Sequence, residues 1–330
     1  MRRREFICLL GGAAATARPL TARAQQAGRI PRVGALWSGP ENRSTASNGF
    51  DRGLRELGYV EGQNIAIERR YGGWTQERLY ATAAELVGLK PDVIVAWSTT
   101  VALVAKRATS SIPIVGAIMA DPVGDGLVAS LARPGGNITG TTFLGPELVA
   151  KRLQLLRDVL PHLIRVAALW HPTAYGERTM AGIRHDIEAA ARTLGMQLQL
   201  VPAASPDDLA GAFSAMTAQR AEAFIVLPSP MMFNQYGRIV KLAAKDRLPS
   251  MYQSREAVDL GGLMSYGASI AELARRSAGF VDRILKGARP AELPVEQPTS
   301  FELVINLKTA RALDLTVSRD LLLVADDVIE

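Results

Sequence analysis

VGALW at residues 33–37 and RVAALW at residues 165–170 are two short apolar runs, each followed by a polar loop and then a helical pattern. From each run onward, strand patterns rich in β-branched residues alternate with helical patterns, which is typical of α/β folds with parallel sheets. Matching strand starts in the two series, such as Val33 and Val166, lie roughly 132 residues apart. The sequence therefore predicts two lobes, each built on a doubly wound parallel sheet.

The predicted elements follow the same order in both lobes. The first lobe is expected to have strands at residues 33–37, 64–69, 92–97 and 112–117, and helices at 45–57, 76–87 and 101–108. The second is expected to have strands at 165–170, 197–201, 223–227 and 249–252, and helices at 177–194, 206–219 and 231–245. A helix at 270–286 would complete the first lobe.

Three connections between the lobes are predicted, and together they would form a hinge. The stretch from Gly135 to Gly140 permits unusual backbone angles, although an ordinary surface turn explains it as well. A second return is expected near Gly261-Gly262, and the three prolines within 290–298 indicate a third, extended connection. The predicted division assigns 30–140 plus 266–298 to the first lobe and 141–265 to the second, with 299–330 packing across the hinge onto the second lobe.

The N-terminus has the three parts of a cleavable export signal: a basic start, an apolar stretch and the small-residue site Ala22-Arg23-Ala24. Arg3-Arg4 followed by Phe6-Ile7 resembles the twin-arginine export pattern. We therefore expect cleavage near Ala24 and a periplasmic location, the alternative being a basic amphipathic N-terminus. The single cysteine, Cys8, lies in this segment, so the remaining chain needs neither a disulfide nor a thiol nucleophile.

Length and charge limit the classes of function. Residues 1–24 carry five arginines and one glutamate, so their removal lowers the formal charge from +6 to +2 and leaves little support for nucleic-acid binding. No uninterrupted apolar run approaches the roughly 18–20 residues that span a bilayer. The remaining chain of about 306 residues exceeds what one hydrophobic core normally holds, which also favours two lobes.

The ligand site is predicted from the sheet topology. In an open parallel sheet, ligands bind beyond the carboxyl ends of the strands where the strand order reverses, which for the expected order 2-1-3-4 lies between the first and third strands. The candidate binding residues in the loops that follow these strands, and in their surroundings, are Trp37, Ser38, Trp97, Ser98, Thr99, Thr100, Asp121, Pro122, Trp170, His171, Pro172, Tyr175, Pro228, Ser229, Tyr252 and Tyr266.

Each group of candidates has a structural alternative. Ser98, Thr99 and Thr100 precede a helix, so one of them caps it while the others are available to an anionic group. Asp121 is placed either to receive a ligand ammonium or hydroxyl or to cap the turn towards Gly124. The tryptophans that end the strands either stack on a ligand or close the core beneath it.

Motifs for catalysis and metal binding are missing from the sequence. No GxSxG elbow, HExxH helix, Walker P-loop or GxGxxG turn follows a predicted strand. His162, His171 and His185 lie on separate predicted elements without metal-ligand spacing. We therefore predict a protein that is not an enzyme and needs no cofactor or metal.

The central segment carries a family resemblance. The stretches 112–115, 121–124 and 126–140, the last reading GLVASLARPGGNITG, closely resemble a family of ABC-transporter substrate-binding proteins. FELVINLKTA at 301–310 and ADDVIE at 325–330 match the ending of that family. The family is similar to the tryptophan/tyrosine-type binding proteins. The resemblance implies a type I periplasmic-binding fold, with an amino acid held between two lobes, and the analogy with those relatives points to an aromatic one.

These observations together predict the periplasmic solute-binding component of an ABC importer. Its expected partners are a small polar ligand and an inner-membrane ABC permease, and the protein itself is expected to be a monomer. Two alternatives remain open: a receptor of the same fold that reports ligand occupancy to a membrane sensor, and an exported α/β enzyme.

Overall fold

Two sheets form the framework of the computed structural model, which describes residues 29–41, 44–145 and 147–330. The predicted export signal at 1–24 lies outside the described residues. The first sheet has five parallel strands in the order β2-β1-β3-β4-β5. Its strands are β1 (Arg32–Trp37), β2 (Ala66–Tyr71), β3 (Val93–Trp97), β4 (Ile114–Met119) and β5 (Ile138–Thr142).

The second sheet has seven strands in the order β12-β11-β10-β9-β8-β6-β7. All neighbours are parallel except β10 and β11, which pair antiparallel. Its strands are β6 (Arg165–Trp170), β7 (Gln197–Pro202), β8 (Ala223–Val226), β9 (Ser250–Tyr252), β10 (Met264–Gly267), β11 (Glu302–Asn306) and β12 (Asp327–Ile329). The predicted α/β class, with two doubly wound parallel sheets, is confirmed.

Helices cover the faces of both sheets. Those packed with the first sheet are α1 (Thr45–Glu56), α2 (Gln76–Gly88), α3 (Thr99–Ala108) and α10 (Ile270–Leu285). Those packed with the second are α4 (Val149–Val159), α5 (Glu177–Thr193), α6 (Leu209–Ala218), α7 (Pro230–Asn234), α8 (Tyr236–Lys245), α9 (Arg255–Asp259), α11 (Leu307–Ala312) and α12 (Arg319–Leu323). We call each sheet with its helices the first and second lobe. In the described ranges, no helix combines the length and apolar character needed to cross a membrane.

Local sequence explains where several helices begin. Ser44 forms a capping box with Ser47 at the start of α1, and Ser229 accepts a hydrogen bond from the backbone N–H of Met232 in α7. Ser98 caps α3, which therefore begins at Thr99, two residues before the predicted start. The helix predicted over 231–245 is divided into α7 and α8 at Gln235, and the one predicted over 206–219 opens with a 3₁₀ turn, Pro206–Asp208.

Helices α1 and α10 lie unusually close together, because α1 carries glycines where they meet. A Cβ atom on Gly49 would lie 2.4 Å from the carbonyl oxygen of Ala271, and one on Gly53 would lie 2.5 Å from that of Arg275. Helix α10, which follows the second lobe in the chain, is thereby fixed to the first lobe.

Three segments connect the lobes: 143–148 after β5, 268–269 before α10, and the segment around 297–301 before β11. The predicted hinge at 135–140 was placed too early, because Ile138 to Gly140 belong to β5. Gly140 has φ +141°, and a Cβ atom there would lie 1.9 Å from the Gly116 carbonyl oxygen. Glycine is therefore required at this position because β4 and β5 approach closely. The second connection, predicted near Gly261-Gly262, also lies later in the chain, at 268–269, because Tyr266 and Gly267 still belong to β10 of the second sheet.

A buried arginine joins the first of these segments to strand β10. Arg152 in α4 is 1% exposed and donates to the carbonyl oxygens of Tyr266 at 2.7 Å and Gly145 at 2.9 Å. Burial lowers the pKa of Arg152 to about 10. The guanidinium therefore holds the first connection against the end of β10, just before the second connection begins.

Candidate functional site

A cavity opens between the lobes at the carboxyl ends of the strands. It lies where the strand order reverses in each sheet, between β1 and β3 and between β6 and β8. We call it the inter-lobe cavity. Its lining residues are Trp37, Ser38, Pro40, Ser44, Ala46, Tyr71, Trp97, Ser98, Thr99, Ala117, Ile118, Phe143, Tyr175, Pro228, Ser229, Pro230, Phe233, Asn234, Gln253 and Ile270.

Two stacked tryptophans form part of the first-lobe wall. Trp37 ends β1 and Trp97 ends β3, and their ring centroids lie 4.2 Å apart with planes 8° from parallel. The edge of Phe50 packs against Trp97, which is 3% exposed, while Trp37 is half-buried. Trp97 thus serves the core and the cavity together, and Trp37 presents the more accessible ring to the cavity.

The loop after β3 has a constrained backbone. Ser98 has φ +108°, which is unfavourable for a residue with a Cβ atom. The Thr99 hydroxyl accepts a hydrogen bond from the Ala120 backbone N–H at 2.8 Å, and the Thr100 hydroxyl donates to the Ala174 carbonyl across the lobes at 2.7 Å. Of the three predicted residues, Ser98 caps the helix, Thr99 supports the loop after β4, and Thr100 contacts the second lobe. Only Ser98 and Thr99 line the cavity.

The second-lobe wall is formed by loops after β6, β8 and β9. The Tyr175 hydroxyl donates to the Pro228 carbonyl, which fixes its ring against the β8 loop. Burial raises the pKa of Tyr175 well above its ordinary value, so this hydroxyl stays protonated. Ser229 and Gln253 complete the polar part of this wall.

Three buried polar atoms of the lining have no hydrogen-bond partner among the described residues: Ser38 Oγ, Trp97 Nε1 and Gln253 Oε1. Buried polar groups in folded proteins are normally paired with protein, water or ligand. They are a hydroxyl, an N–H donor and a carbonyl acceptor, carried by three residues that line the same cavity. This arrangement is suited to orienting a small molecule with a few polar groups.

An outer groove adjoins the cavity, with a volume of about 870 Å³. The predicted residues Thr100, Trp170, His171 and Pro172 line it, and Ser38 and Tyr175 separate it from the inter-lobe cavity by lining both. The Arg184 guanidinium lies 5.8 Å from the Trp170 ring centroid. Burial lowers the pKa of His171, so its imidazole is neutral near pH 7.

Four predicted residues line neither the inter-lobe cavity nor the outer groove. Asp121 accepts a hydrogen bond from the Gly124 backbone N–H at 2.7 Å, which is the turn-capping alternative, and Pro122 belongs to the same turn. Tyr252 is fully buried in the core of the second lobe. Tyr266 packs against Phe301, with ring centroids 6.1 Å apart, beside the hinge.

Several lining residues were missed because they come from elements that were not considered as walls. Phe143 follows β5, which was interpreted as hinge, and Ile270 begins α10. Tyr71 ends β2, and Phe233 and Asn234 lie in α7. A rule that includes the first turn of each helix at the cleft would have found Phe233 and Ile270.

A carboxylate of the first lobe caps a helix of the second. Asp125 accepts a hydrogen bond from the Thr179 hydroxyl at 2.7 Å, in the first turn of α5. Gly176, the N-cap residue of α5, supplies no side-chain cap, and backbone N–H groups of Gly176 and Thr179 also donate to Asp125. Together with the bond from Thr100 to Ala174, this contact joins the lobes beside the cavity.

The lining of the cavity is suited to binding a small molecule. Within the described ranges, no group of three or more histidine, cysteine, aspartate or glutamate side chains is placed to hold a metal ion. What the cavity does offer is stacked aromatic rings and a few polar atoms between two connected lobes, which is typical of a small-molecule binding site.

Comparison with known proteins also leads to proteins that bind small molecules. The chain is 26% identical over 271 residues to a tyrosine-binding protein of Clostridioides difficile, covering 82% of this chain and 76% of the relative. A conserved domain protein of Vibrio cholerae has a crystal structure that superposes with a TM-score of 0.83 at 26% identity, covering 91% of this chain and 100% of that one. An ABC domain from Streptococcus pneumoniae in complex with L-Trp gives a TM-score of 0.82 at 25% identity, with the same coverage.

The resemblance found in the sequence is confirmed, and so is the expected type I periplasmic-binding-like fold. The model of the ABC transporter substrate-binding protein family matches residues 33–329, which is nearly all of the described chain. The chain therefore belongs to the ABC transporter substrate-binding protein family.

Proposed function

We propose that this protein is the periplasmic solute-binding subunit of an ABC importer and that it captures a small aromatic molecule in the inter-lobe cavity. The observation that carries the proposal is the cavity itself: a stacked tryptophan pair and three unpartnered polar atoms lie between two lobes joined by three connections. The relatives support an aromatic ligand, since one is a tyrosine-binding protein and another was crystallised with L-Trp.

Capture proceeds by closure of the lobes around the ligand. The ligand first packs on Trp37 and Trp97 of the first lobe, and Tyr175, Ser229 and Gln253 of the second lobe then enclose it. The ligand stabilises the closed state only to the extent that it binds that state more tightly than the open one. The closed form then presents a surface built from both lobes to the permease.

Binding without chemical conversion fits the residues of the cavity, because none of its described side chains forms a nucleophile–base pair of the kind that covalent catalysis needs. The N-terminal pattern ending at Ala24 supports export to the periplasm. A monomer is sufficient for this role, since both walls of the cavity belong to one chain.

The experiment is a thermal-shift screen of the protein lacking residues 1–24 against aromatic acids, aromatic amino acids, sugars and nucleosides. A ligand specific to the folded state raises the melting temperature by mass action. We expect aromatic compounds to raise it, and a Trp37→Ala variant to lose that shift. Stabilisation by sugars alone would contradict the proposed ligand class, and stabilisation by no compound in the screen would contradict capture of these solutes.

A further inference from the structure

The inter-lobe cavity differs from a site for a free amino acid in its charge. All of its described lining side chains are uncharged, so no aspartate or glutamate forms part of this wall. An ammonium group enclosed there would lose its hydration without gaining a carboxylate partner. Burying an unpaired charge is among the most costly events in protein recognition.

Carboxylates near the cavity do not line it: Glu41, which follows the lining residue Pro40, is exposed. Asp121 caps its own turn through the Gly124 backbone N–H, and Asp125 caps α5 through Thr179. Glu256 and Glu302 line a smaller neighbouring cavity, which shares only Ile270 with the inter-lobe cavity. The described structure therefore supplies hydroxyl, indole and amide groups, and no countercharge, to a ligand in the cavity.

The helices around the cavity favour the opposite charge. The first turns of α1, α3 and α10, which have 12, 10 and 16 residues, contribute Ala46, Thr99 and Ile270 to the lining. The N-terminal end of a helix carries partial positive charge and exposed N–H groups, so it attracts a carboxylate and repels an ammonium. Three such ends give the cavity a positive electrostatic bias without a cationic side chain among its described residues.

The unpartnered polar atoms fit the same ligand. Trp97 is 3% exposed and its Nε1 is a donor only, which suits a carboxylate or carbonyl oxygen and cannot accept from an ammonium. Gln253 is 7% exposed and its unpartnered Oε1 is a neutral acceptor, which can take a hydrogen bond from a phenol hydroxyl or an indole N–H but supplies no countercharge to an ammonium.

We infer that the ligand is an aromatic carboxylate without an α-amino group. Its ring lies against the tryptophan pair, its carboxylate faces the helix N-termini, and no ammonium is present. The inference rests on the proposed function, since it names the ligand class of the same cavity. It separates this chain from the relatives whose names specify tyrosine or were solved with L-Trp.

Matched pairs of compounds test the inference by isothermal titration calorimetry. The probes are L-tyrosine against 3-(4-hydroxyphenyl)propionate, and L-tryptophan against indole-3-propionate, because each pair differs only by the amino group. We expect the acid to bind at least about tenfold more tightly than the amino acid in at least one pair. Amino acids that bind as tightly or more tightly would overturn this inference and leave the proposed function standing. If none of the four binds, both the inference and the proposal of an aromatic ligand fail.

The variant Gln253→Glu tests the cause of the selectivity. It adds a carboxylate of nearly the same shape to the wall, so the preference should move towards the amino acid by about tenfold. Gln197→Glu, at an exposed position that starts β7, is the matched control and should leave the ratio unchanged. Suppose that Gln253→Glu retains the circular dichroism spectrum and cooperative melting of the unaltered protein, and that its ratio of affinities for acid and amino acid is also unchanged. The missing wall carboxylate then does not set the selectivity, and the inference is overturned.

Discussion

The carboxylate of Asp125 and the hydroxyl of Thr179 form a 2.7 Å hydrogen bond between residues of opposite lobes. It places a first-lobe carboxyl group at the N-terminal end of α5, where its oxygens accept hydrogen bonds from groups that the helix itself leaves unpaired. The same helix supplies Met180 and Arg184 to the outer groove. In the proposed mechanism, lobe closure would complete the cap of a helix that borders the outer groove.

Removal of this cap should weaken closure. Asp125→Ala is expected to lower ligand affinity several-fold, because losing a helix cap costs about 0.5–2 kcal/mol and here the cap forms only between the lobes. Titration calorimetry with indole-3-propionate measures the change. Asp320→Ala, in the first turn of α12 and remote from the cavity, is the control and should bind as the unaltered protein does.

The same carboxyl gives a pH dependence with a defined sign. Burial, opposed by the Thr179 hydrogen bond and reinforced by Asp121, raises the pKa of Asp125 above its ordinary value of 3.8. A carboxyl whose pKa is raised in the folded state binds its proton more tightly there, so its contribution to stability grows as pH falls through the raised pKa.

The variant Asp125→Asn isolates this contribution, since it keeps an acceptor and removes the titration. The difference in free energy of unfolding between the unaltered protein and Asp125→Asn should shift in favour of the unaltered protein as the pH is lowered towards the ordinary carboxyl pKa of 3.8. Urea denaturation at several pH values measures it. A difference that is constant over this range would refute the raised pKa.

The two tryptophans should differ in what their removal does. Trp97→Ala is expected to destabilise the protein by about 3–5 kcal/mol, because its ring is part of the first-lobe core. Trp37→Ala should cost less stability and reduce ligand affinity by about tenfold or more, since it removes the more accessible ring of the stack. Chemical denaturation and calorimetry on both variants separate the roles, and equal losses of stability would contradict the division.

Two glycine-to-alanine substitutions should have opposite effects on stability, one at the contact between α1 and α10 and one on an open helix face. Gly49→Ala should destabilise by more than about 1 kcal/mol, since its Cβ atom would meet the Ala271 carbonyl and force the helices apart. Gly182→Ala in α5 meets nothing within 4 Å and should stabilise by about 0.4–1 kcal/mol. Thermal melting of both variants checks the pair, and a stable Gly49→Ala protein would mean that the helices are not held this closely.

At the hinge, Arg152→Met should destabilise by about 2–4 kcal/mol, because two buried carbonyl groups lose their donor. Arg157→Met is the control: Arg157 lies in the last turn of α4 and also bonds two carbonyl groups, but it is only half-buried, so its loss should cost less. Urea denaturation compares the two, and equal costs would contradict a special role for Arg152 at the hinge.

The parts of the fold that depend on periodicity were predictable. Alternating strand and helix patterns located β6 without error and most other elements within two residues. The rule on strand order then brought Trp37, Trp97, Ser229 and Tyr175 to the cavity wall. These inferences succeed because parallel strands end at a common edge, whatever their side chains do.

The errors arise where one residue type serves two purposes. Gly140 was interpreted as hinge because glycine permits rare backbone angles, but a close approach of strands needs glycine equally. Tyr252 was interpreted as wall, yet successive strand residues face opposite sides, so Tyr252 enters the core and Gln253, next in the chain, reaches the cavity. The stacking of Trp37 on Trp97 and the cap from Asp125 depend on neighbours that only the folded chain defines.

Small-angle X-ray scattering with and without saturating ligand tests the central claim, capture by closure, most directly. The protein lacking residues 1–24 is measured alone and with whichever of the four aromatic probes binds most tightly. We expect a smaller radius of gyration in the complex, because the lobes close on the ligand, and a weaker change in Asp125→Ala. Identical scattering profiles for the free protein and a complex verified by calorimetry would contradict the account.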